Sequence, residues 1–314
     1  MTLAPAGFVS CSIVICTYSA DRLDGLHRCL DAVLDQSHTS EQVLVVVDNN
    51  PTLLSDLTAA LAGNLSCRVV ANDETPGLSG ARNTGIKLAD GEIVVFLDDD
   101  AVPEPMWLAQ LLSPFDVDAV AAVGGRIDPG WASQRPWWFS PHLDWTIGCS
   151  IPTMPADGGP IRNVFGASAA FRRETLNRVG GFAADLGRVG ANGAGCEETD
   201  LCIRVRADDA DAVVLYAPNS GVVHSVSAGR ATVRYVLRRC FAEGRSKARL
   251  AARVGRADAT SNERAYARVI ARQVWRDVSM AFRRPSGLGR AGVLVSGFGI
   301  AAVGYACERC SSTK

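Results

Sequence analysis

Residues 92–103, EIVVFLDDDAVP, end an apolar run in three consecutive carboxylates, Asp98, Asp99 and Asp100. Adjacent like charges repel, and they stay ionised at low cost only when a cation compensates them. Mg2+ or Mn2+ takes carboxylate oxygens and keeps room for water and substrate phosphate. A metal held here is suited to stabilising a phosphate leaving group. Side chains alternate along an extended segment, so Asp98 and Asp100 can face one ligand while Asp99 points away. A second acidic cluster, Glu197-Glu198-Thr199-Asp200, opens a helical pattern over 196–209. The helix dipole favours carboxylates there. Successive helical side chains diverge by ~100°, so the three acids cannot all reach one group. Arg82 and Asn83 lie in the first turns of a predicted helix over 78–90, where anions bind well.

The elements that must position these groups alternate. Apolar, β-branched runs at 8–16, 43–48, 67–71, 92–97 and 119–125 read as strands. Between them lie helical patterns: one starting at Asp21 as N-cap, one over 52–63 closed by Gly63, one over 78–90 and one started by Pro103 and Pro105. Strand–helix alternation with continuously apolar strands predicts an α/β protein whose mostly parallel sheet is covered on both faces. Ligands sit at the carboxyl ends of such strands. Thr17-Tyr18, Asp48-Asn49-Asn50 and Asp98–Asp100 all fall at strand ends. Residues 126–165 hold four of the six Trp and little periodicity, and read as a long ordered loop. Strand, helix and Gly-Gly turn follow over 163–182, then the acidic helix, then a strand at 212–218 with His224 beyond it.

Charge divides the chain. Residues 1–229 carry 14 Lys/Arg against 28 Asp/Glu, and residues 230–290 carry 16 against 4. The basic part repeats apolar positions at helical spacing (Val233, Val236, Leu237, Cys240, Phe241; Tyr266, Val269, Ile270, Val274, Trp275). It predicts amphipathic helices with arginine-rich faces, suited to a solvated surface, an anionic membrane surface or a lipid-diphosphate acceptor. No nucleic-acid motif accompanies the charge. The stretch 291–307 carries no charge, but it is short for a span and holds Gly292, Gly297, Gly299 and Gly304. It reads as a re-entrant, interfacial or docking helix. The 10 cysteines are scattered, and Cys307-x-x-Cys310 is a lone pair without a second, so no zinc site is expected. No basic leader precedes the first strand; the expectation is a cytoplasmic protein, peripheral on the inner face of the cell membrane.

Taken together, VSCSIVICTYSADR, VVVDNN, PGLSGARNTGIKLADGEIVVFLDDDAVP, GASAAFRRETLNRVGGF and EETDLCIR resemble, in order, glycosyltransferase family 2, the inverting transferases of GT-A fold. The resemblance spans residues 8–225. It implies a GT-A domain over 1–229, with a nucleotide-sugar half (1–125) and an acceptor half (126–229), followed by the helical extension 230–314. It also implies a nucleotide-diphosphate sugar donor, most naturally a UDP-sugar, with Mn2+ or Mg2+ and a glycan or lipid-linked acceptor.

Carried over residue by residue, the resemblance gives Thr17 and Asp48 to the nucleoside, Arg82 to the uridine or phosphate, and Asp98 and Asp100 to ribose and metal. Asp99 is grouped with the donor contacts and His224 with the metal. Glu197, Glu198 and Asp200 form the catalytic set. Glu198 stands at the base position, where the family usually has Asp; Glu197 positions the acceptor, and Asp200 pairs with Arg204 at i+4. A dinucleotide oxidoreductase would need G-x-G-x-x-G after the first strand, where CTYSAD stands. A sugar nucleotidyltransferase would want a glycine-rich phosphate loop there. It remains the enzymatic alternative, and an inactive sugar-nucleotide or lipid-surface binder the non-enzymatic one.

Overall fold

The computed structural model describes residues 9–37, 40, 42–63, 66–188, 194–259, 263–282 and 285–311. The expectations for residues 1–8 lie outside these. Each β-branched run forms a strand: β1 (Cys11–Thr17), β2 (Gln42–Val47), β3 (Cys67–Ala71) and β4 (Ile93–Asp98). Between them run α1 (Leu23–Leu34), α2 (Pro51–Leu61) and α3 (Leu78–Leu88). The chain continues through β5 (Ala101–Pro103), α4 (Trp107–Leu112), β6 (Val120–Trp131), β7 (Gly159–Pro160), β8 (Ser168–Arg172), α5 (Arg173–Val179), α6 (Glu197–Asp208) and β9 (Val213–Val226). The extension forms α7 (Val233–Val254), α8 (Arg256–Ala259), α9 (Glu263–Ser279) and α10 (Ser286–Ser311).

The sheet order is β3-β2-β1-β4-β8-β6-β9-β5. The first four strands are parallel, and β8 then runs antiparallel between β4 and β6. Alternation divides the core as pleating requires. Ile13, Ile15, Val43, Val45, Ile93 and Val95 pack with α1, α2 and α4 on one face. Val14, Leu44, Val46, Val94 and Phe96 pack with α3, α5 and α6 on the other. Val236, Cys240, Ile270 and Leu294 of the extension belong to the first of these cores.

Several boundaries differ from the sequence expectation. Ser19, not Asp21, caps the entry to α1: its side chain accepts from the Asp21 amide at the head of a 3-10 turn, Ala20–Arg22. Pro103 closes β5 instead of starting a helix, and α4 begins at Trp107. The strand expected to end at 125 runs on to Trp131, six residues into the expected loop, because it pairs in parallel with a β9 that itself runs past 218 to Val226. His224 therefore lies inside a strand, not beyond one. The apolar stretch 291–307 sits within a 26-residue helix. Two of the stretch's four glycines serve packing against α7: a Cβ on Gly304 would collide with the Phe241 carbonyl and one on Gly297 would crowd Cys240, whereas one on Gly292 or Gly299 would meet nothing. From the α7 side, a Cβ on Gly244 would collide with the Ala301 carbonyl.

Candidate active site

Parallel register places three strand ends side by side. Thr17 lies opposite Val47, just before Asp48, and Cys16 lies opposite Asp98. Thr17 is buried at the end of β1, and its carbonyl accepts from the Asp48 amide at 2.8 Å. Asp48 accepts from Asn72 Nδ2 at 2.7 Å and from the Gly77 amide, at the head of α3, at 2.9 Å. Thr17, Asp48, Asp98 and Asp99 line a pocket of about 360 Å3 whose far wall is α7.

Beyond Asp98 the chain turns, and β5 pairs antiparallel with β9 so that Ala101 lies opposite His224. The Asp100 carbonyl accepts from the Ser225 amide at 2.9 Å. These two contacts bring the expected metal residues together: one ligand atom each from Asp98, Asp100 and His224 lie within 4.8 Å of one another. His224 Nε2 is 3.0 Å from Asp100 Oδ1 and 4.0 Å from Asp98 Oδ2. Asp100 Oδ1 is buried without a hydrogen-bond partner, so that short separation is not an aligned hydrogen bond. Burial alone would raise the Asp100 pKa; His224, Arg22 and Arg230 outweigh it and hold the carboxyl well below the usual range. A buried, ionised oxygen left unbonded beside a second carboxylate and an imidazole fits a divalent ion.

Asp99 turns the other way. It is 2% exposed, and Arg22 Nε lies 2.8 Å from both its oxygens. Arg22 also reaches Asp100 Oδ2 at 2.9 Å and stacks over Tyr18. Asp99 thus touches the small pocket only as the anchor of Arg22, a residue that sequence reasoning passed over at the end of the TYSADR loop.

The acidic helix α6 starts from Cys196, a non-glycine residue in the left-handed region at φ 75°. Its first turn sends three carboxylates in three directions. Glu198 faces a cleft of about 790 Å3, and Arg82 Nη1 stands 3.1 Å from its Oε1. Glu197 is 3% exposed, 3.6 Å from Arg82 Nη1, and its Oε2 has no hydrogen-bond partner. Burial, then the neighbouring Glu198 charge, push its pKa up to about 7 against the pull of Arg82. Asp200 is fully buried and turned from the cleft: Arg204 Nε lies 2.7 Å from one oxygen and Arg253 Nε 3.3 Å from the other. A catalytic place for Asp200 does not fit these contacts; the i+4 pair with Arg204 does.

Arg82 is not at the nucleoside end with Asp48. It is 3% exposed and lies between the two acidic clusters, with Nη2 3.4 Å from Asp98 Oδ1 and its guanidinium over Phe182. Gly166 makes this possible, because a Cβ there would collide with both Arg82 and Glu198. The two cavities meet where Leu78, Asp98, Arg188 and Arg239 line both. The larger one then runs between the α6 carboxylates and an apolar wall of Val269, Ile270, Leu294, Phe298 and Ala301. Trp145 stands on this wall and donates to Tyr266 Oη at 3.0 Å.

The sequence profile of glycosyl transferase family 2 matches residues 12–180. The "Glucosyl-dolichyl phosphate glucuronosyltransferase" of Haloferax volcanii is 30% identical over 238 residues, 75% of this chain and 75% of that protein. The "Succinoglycan biosynthesis protein ExoM" of Rhizobium meliloti is 25% identical over 243 residues, 76% and 74% of the two chains. Among solved structures, the mannosyltransferase PcManGT from Pyrobaculum calidifontis, in complex with GDP-Man and Mn2+, superposes with TM-score 0.60 at 20% identity over 96% of this chain and 88% of that one. GalNAc-T7 with UDP, GalNAc and Mn2+ superposes with TM-score 0.55 at 17% identity, over 77% and 51%. Both are GT-A glycosyltransferases, so the fold is GT-A.

Proposed function

The chain belongs to glycosyl transferase family 2, and from that premise we propose an inverting, divalent-metal-dependent transfer of a sugar from a nucleoside-diphosphate donor, a UDP-sugar foremost, to a hydroxyl of a glycan carried on a lipid phosphate. The observation that carries this reading is the junction of the two cavities at Asp98. A small pocket lined by arginines and aspartates opens there into a larger cleft holding Glu198 and an apolar wall.

Each group then has a place. Thr17 and Asp48 border the nucleoside. Asp98, Asp100 and His224 would hold the metal, which when bound supplies positive charge beside the diphosphate. Glu198, across Arg82 from Asp98, takes the proton from the acceptor hydroxyl as its oxygen attacks the anomeric carbon. The bond to the diphosphate breaks on the opposite face, and its electron pair leaves with the phosphate oxygen. No covalent enzyme intermediate is needed. Arg82, 3.1 Å from Glu198, holds that carboxylate in place, and Glu197 lies behind it as a buried support.

The acceptor class rests on the wall formed by α9 and α10, on the basic charge of the extension and on the dolichyl phosphate in a relative's name. Helix α10 is long and apolar enough to cross a membrane, with only 28% of its apolar window buried. Docked on α7, it instead presents Leu288, Val295 and Val303 outward. This supports an enzyme peripheral to a membrane surface. The test is release of nucleoside diphosphate from a panel of UDP- and GDP-sugars with MnCl2, with and without a detergent-solubilised polyprenyl-phosphate glucoside. Turnover of one donor, accelerated by the lipid, is the expected result. Failure of every donor to bind or turn over would refute the reading.

A further inference from the structure

We propose that the helical extension completes the donor site: Arg238 and Arg239 of α7, with Arg188 from the loop before α6, cradle the donor diphosphate directly. This rests on the glycosyltransferase reading and adds to it residues that lie outside the matched family segment.

The charge around the small pocket points there. Five arginines line it, Arg22, Arg188, Arg230, Arg238 and Arg239, against three carboxylates, Asp48, Asp98 and Asp99. Some of these charges already have partners. Asp48 is bonded by Asn72 and Gly77. Arg22 is paired with Asp99 and Asp100, Arg230 lies 3.8 Å from Asp100, and Arg239 lies 3.9 Å from Glu243. Among the described residues, Arg188 and Arg238 have no carboxylate at ion-pair distance, although both face the pocket. Guanidinium groups gathered in a cleft focus positive potential and match phosphate oxygens two at a time.

Position argues the same way. A donor with its nucleoside at Thr17 and Asp48 and its sugar toward Glu198 must pass its diphosphate through the junction of the two cavities. Arg188 and Arg239 stand at that junction beside Asp98. Arg238 lies one residue from Arg239 on α7, on the small-pocket side. The basic face of α7 is therefore divided, with Arg234 exposed outside the pockets and Arg238 and Arg239 turned to the site. The cradle predicts that part of the diphosphate affinity needs no metal.

The experiment is calorimetry with inorganic pyrophosphate in excess chelator, and with UDP and GDP in chelator and in MnCl2, on the full chain. Wild-type protein should bind pyrophosphate without metal. R188A and R238A should each weaken it about tenfold or more, the loss of a charge-assisted bond, with R238K recovering part. R234A should bind as wild type does. Melting temperatures identify any variant that fails to fold, and Arg238 is exposed enough to be replaced safely. Pyrophosphate binding that is absent without metal, unchanged in R188A and R238A, or equally weakened by R234A overturns the cradle while leaving the enzyme reading intact. A wild-type chain that binds neither UDP nor GDP even with MnCl2 removes the enzyme reading and the cradle with it.

Discussion

Arg82 stands 3.1 Å from Glu198, with the guanidinium 3% exposed. The same group reaches Asp98 at 3.4 Å and Glu197 at 3.6 Å, so one buried cation serves three carboxylates. Removing one partner of a buried ion pair leaves the others uncompensated, at a cost of about 3–5 kcal/mol. R82A should lose about that much stability in urea unfolding, together with its activity. G166A should separate the pair by steric collision, with a smaller loss of stability and a comparable loss of turnover. Unchanged stability in R82A would mean that the cluster is already neutralised by protons.

Glu197 sets a pH dependence whose sign is fixed. Its pKa is raised from 4.5 to about 7, so between those values the folded chain holds a proton that the unfolded chain has released. Its contribution to stability is present below pH 4.5 and fades as pH rises toward 7, by up to about 3 kcal/mol. Chemical unfolding from pH 4.5 to 7.5 should show E197Q losing less stability across this window than wild type. Parallel curves would show that Glu197 is ionised throughout.

Asp100 and His224 should bind a metal with Asp98, whereas Asp99 should not. Mn2+ is expected to raise the melting temperature of wild-type protein by mass action. D100N and H224A should abolish the shift. D99N should keep it but melt lower, having released Arg22. A full Mn2+ shift in D100N would remove that residue from the site.

The corner joining α9 to α10 exposes Trp275 (73%), Phe282 (103%) and Leu288 (55%) beside exposed arginines. Cosedimentation with phosphatidylglycerol vesicles should be strong at low salt and weaken as the screening length falls. W275A/F282A should bind several-fold less. Binding that ignores both salt and the double substitution would place the membrane contact elsewhere.

Much of this site is legible in the sequence because parallel strands end together: Thr17, Asp48 and Asp98 follow three apolar runs, and register alone makes them neighbours. Asp200 is legible too, since its i+4 arginine is four residues on. Arg82 is harder. Its helix is plain, but only the Gly166 gap shows that the side chain crosses toward Glu198 and away from the nucleoside. His224 reads as lying beyond a strand because 213–226 does not alternate cleanly; pairing with both β6 and β5 carries that strand to its end. The arginines of α7 were hidden for another reason. Helical periodicity separates apolar from polar faces, but a polar face turned to a cleft and one turned to water have the same spacing.

The central claim is that Glu198 is the base and that Asp200 only supports the helix. The measurement is single-turnover transfer from the preferred donor by E198Q and D200N, with donor affinity taken in parallel by calorimetry. E198Q should bind the donor as wild type does and turn it over ~10²–10⁴-fold more slowly, the usual contribution of a general base. D200N should lose stability through Arg204 and Arg253, yet keep turnover in its folded fraction. Near-normal turnover in E198Q, with the chemical step lost in D200N, would contradict the account.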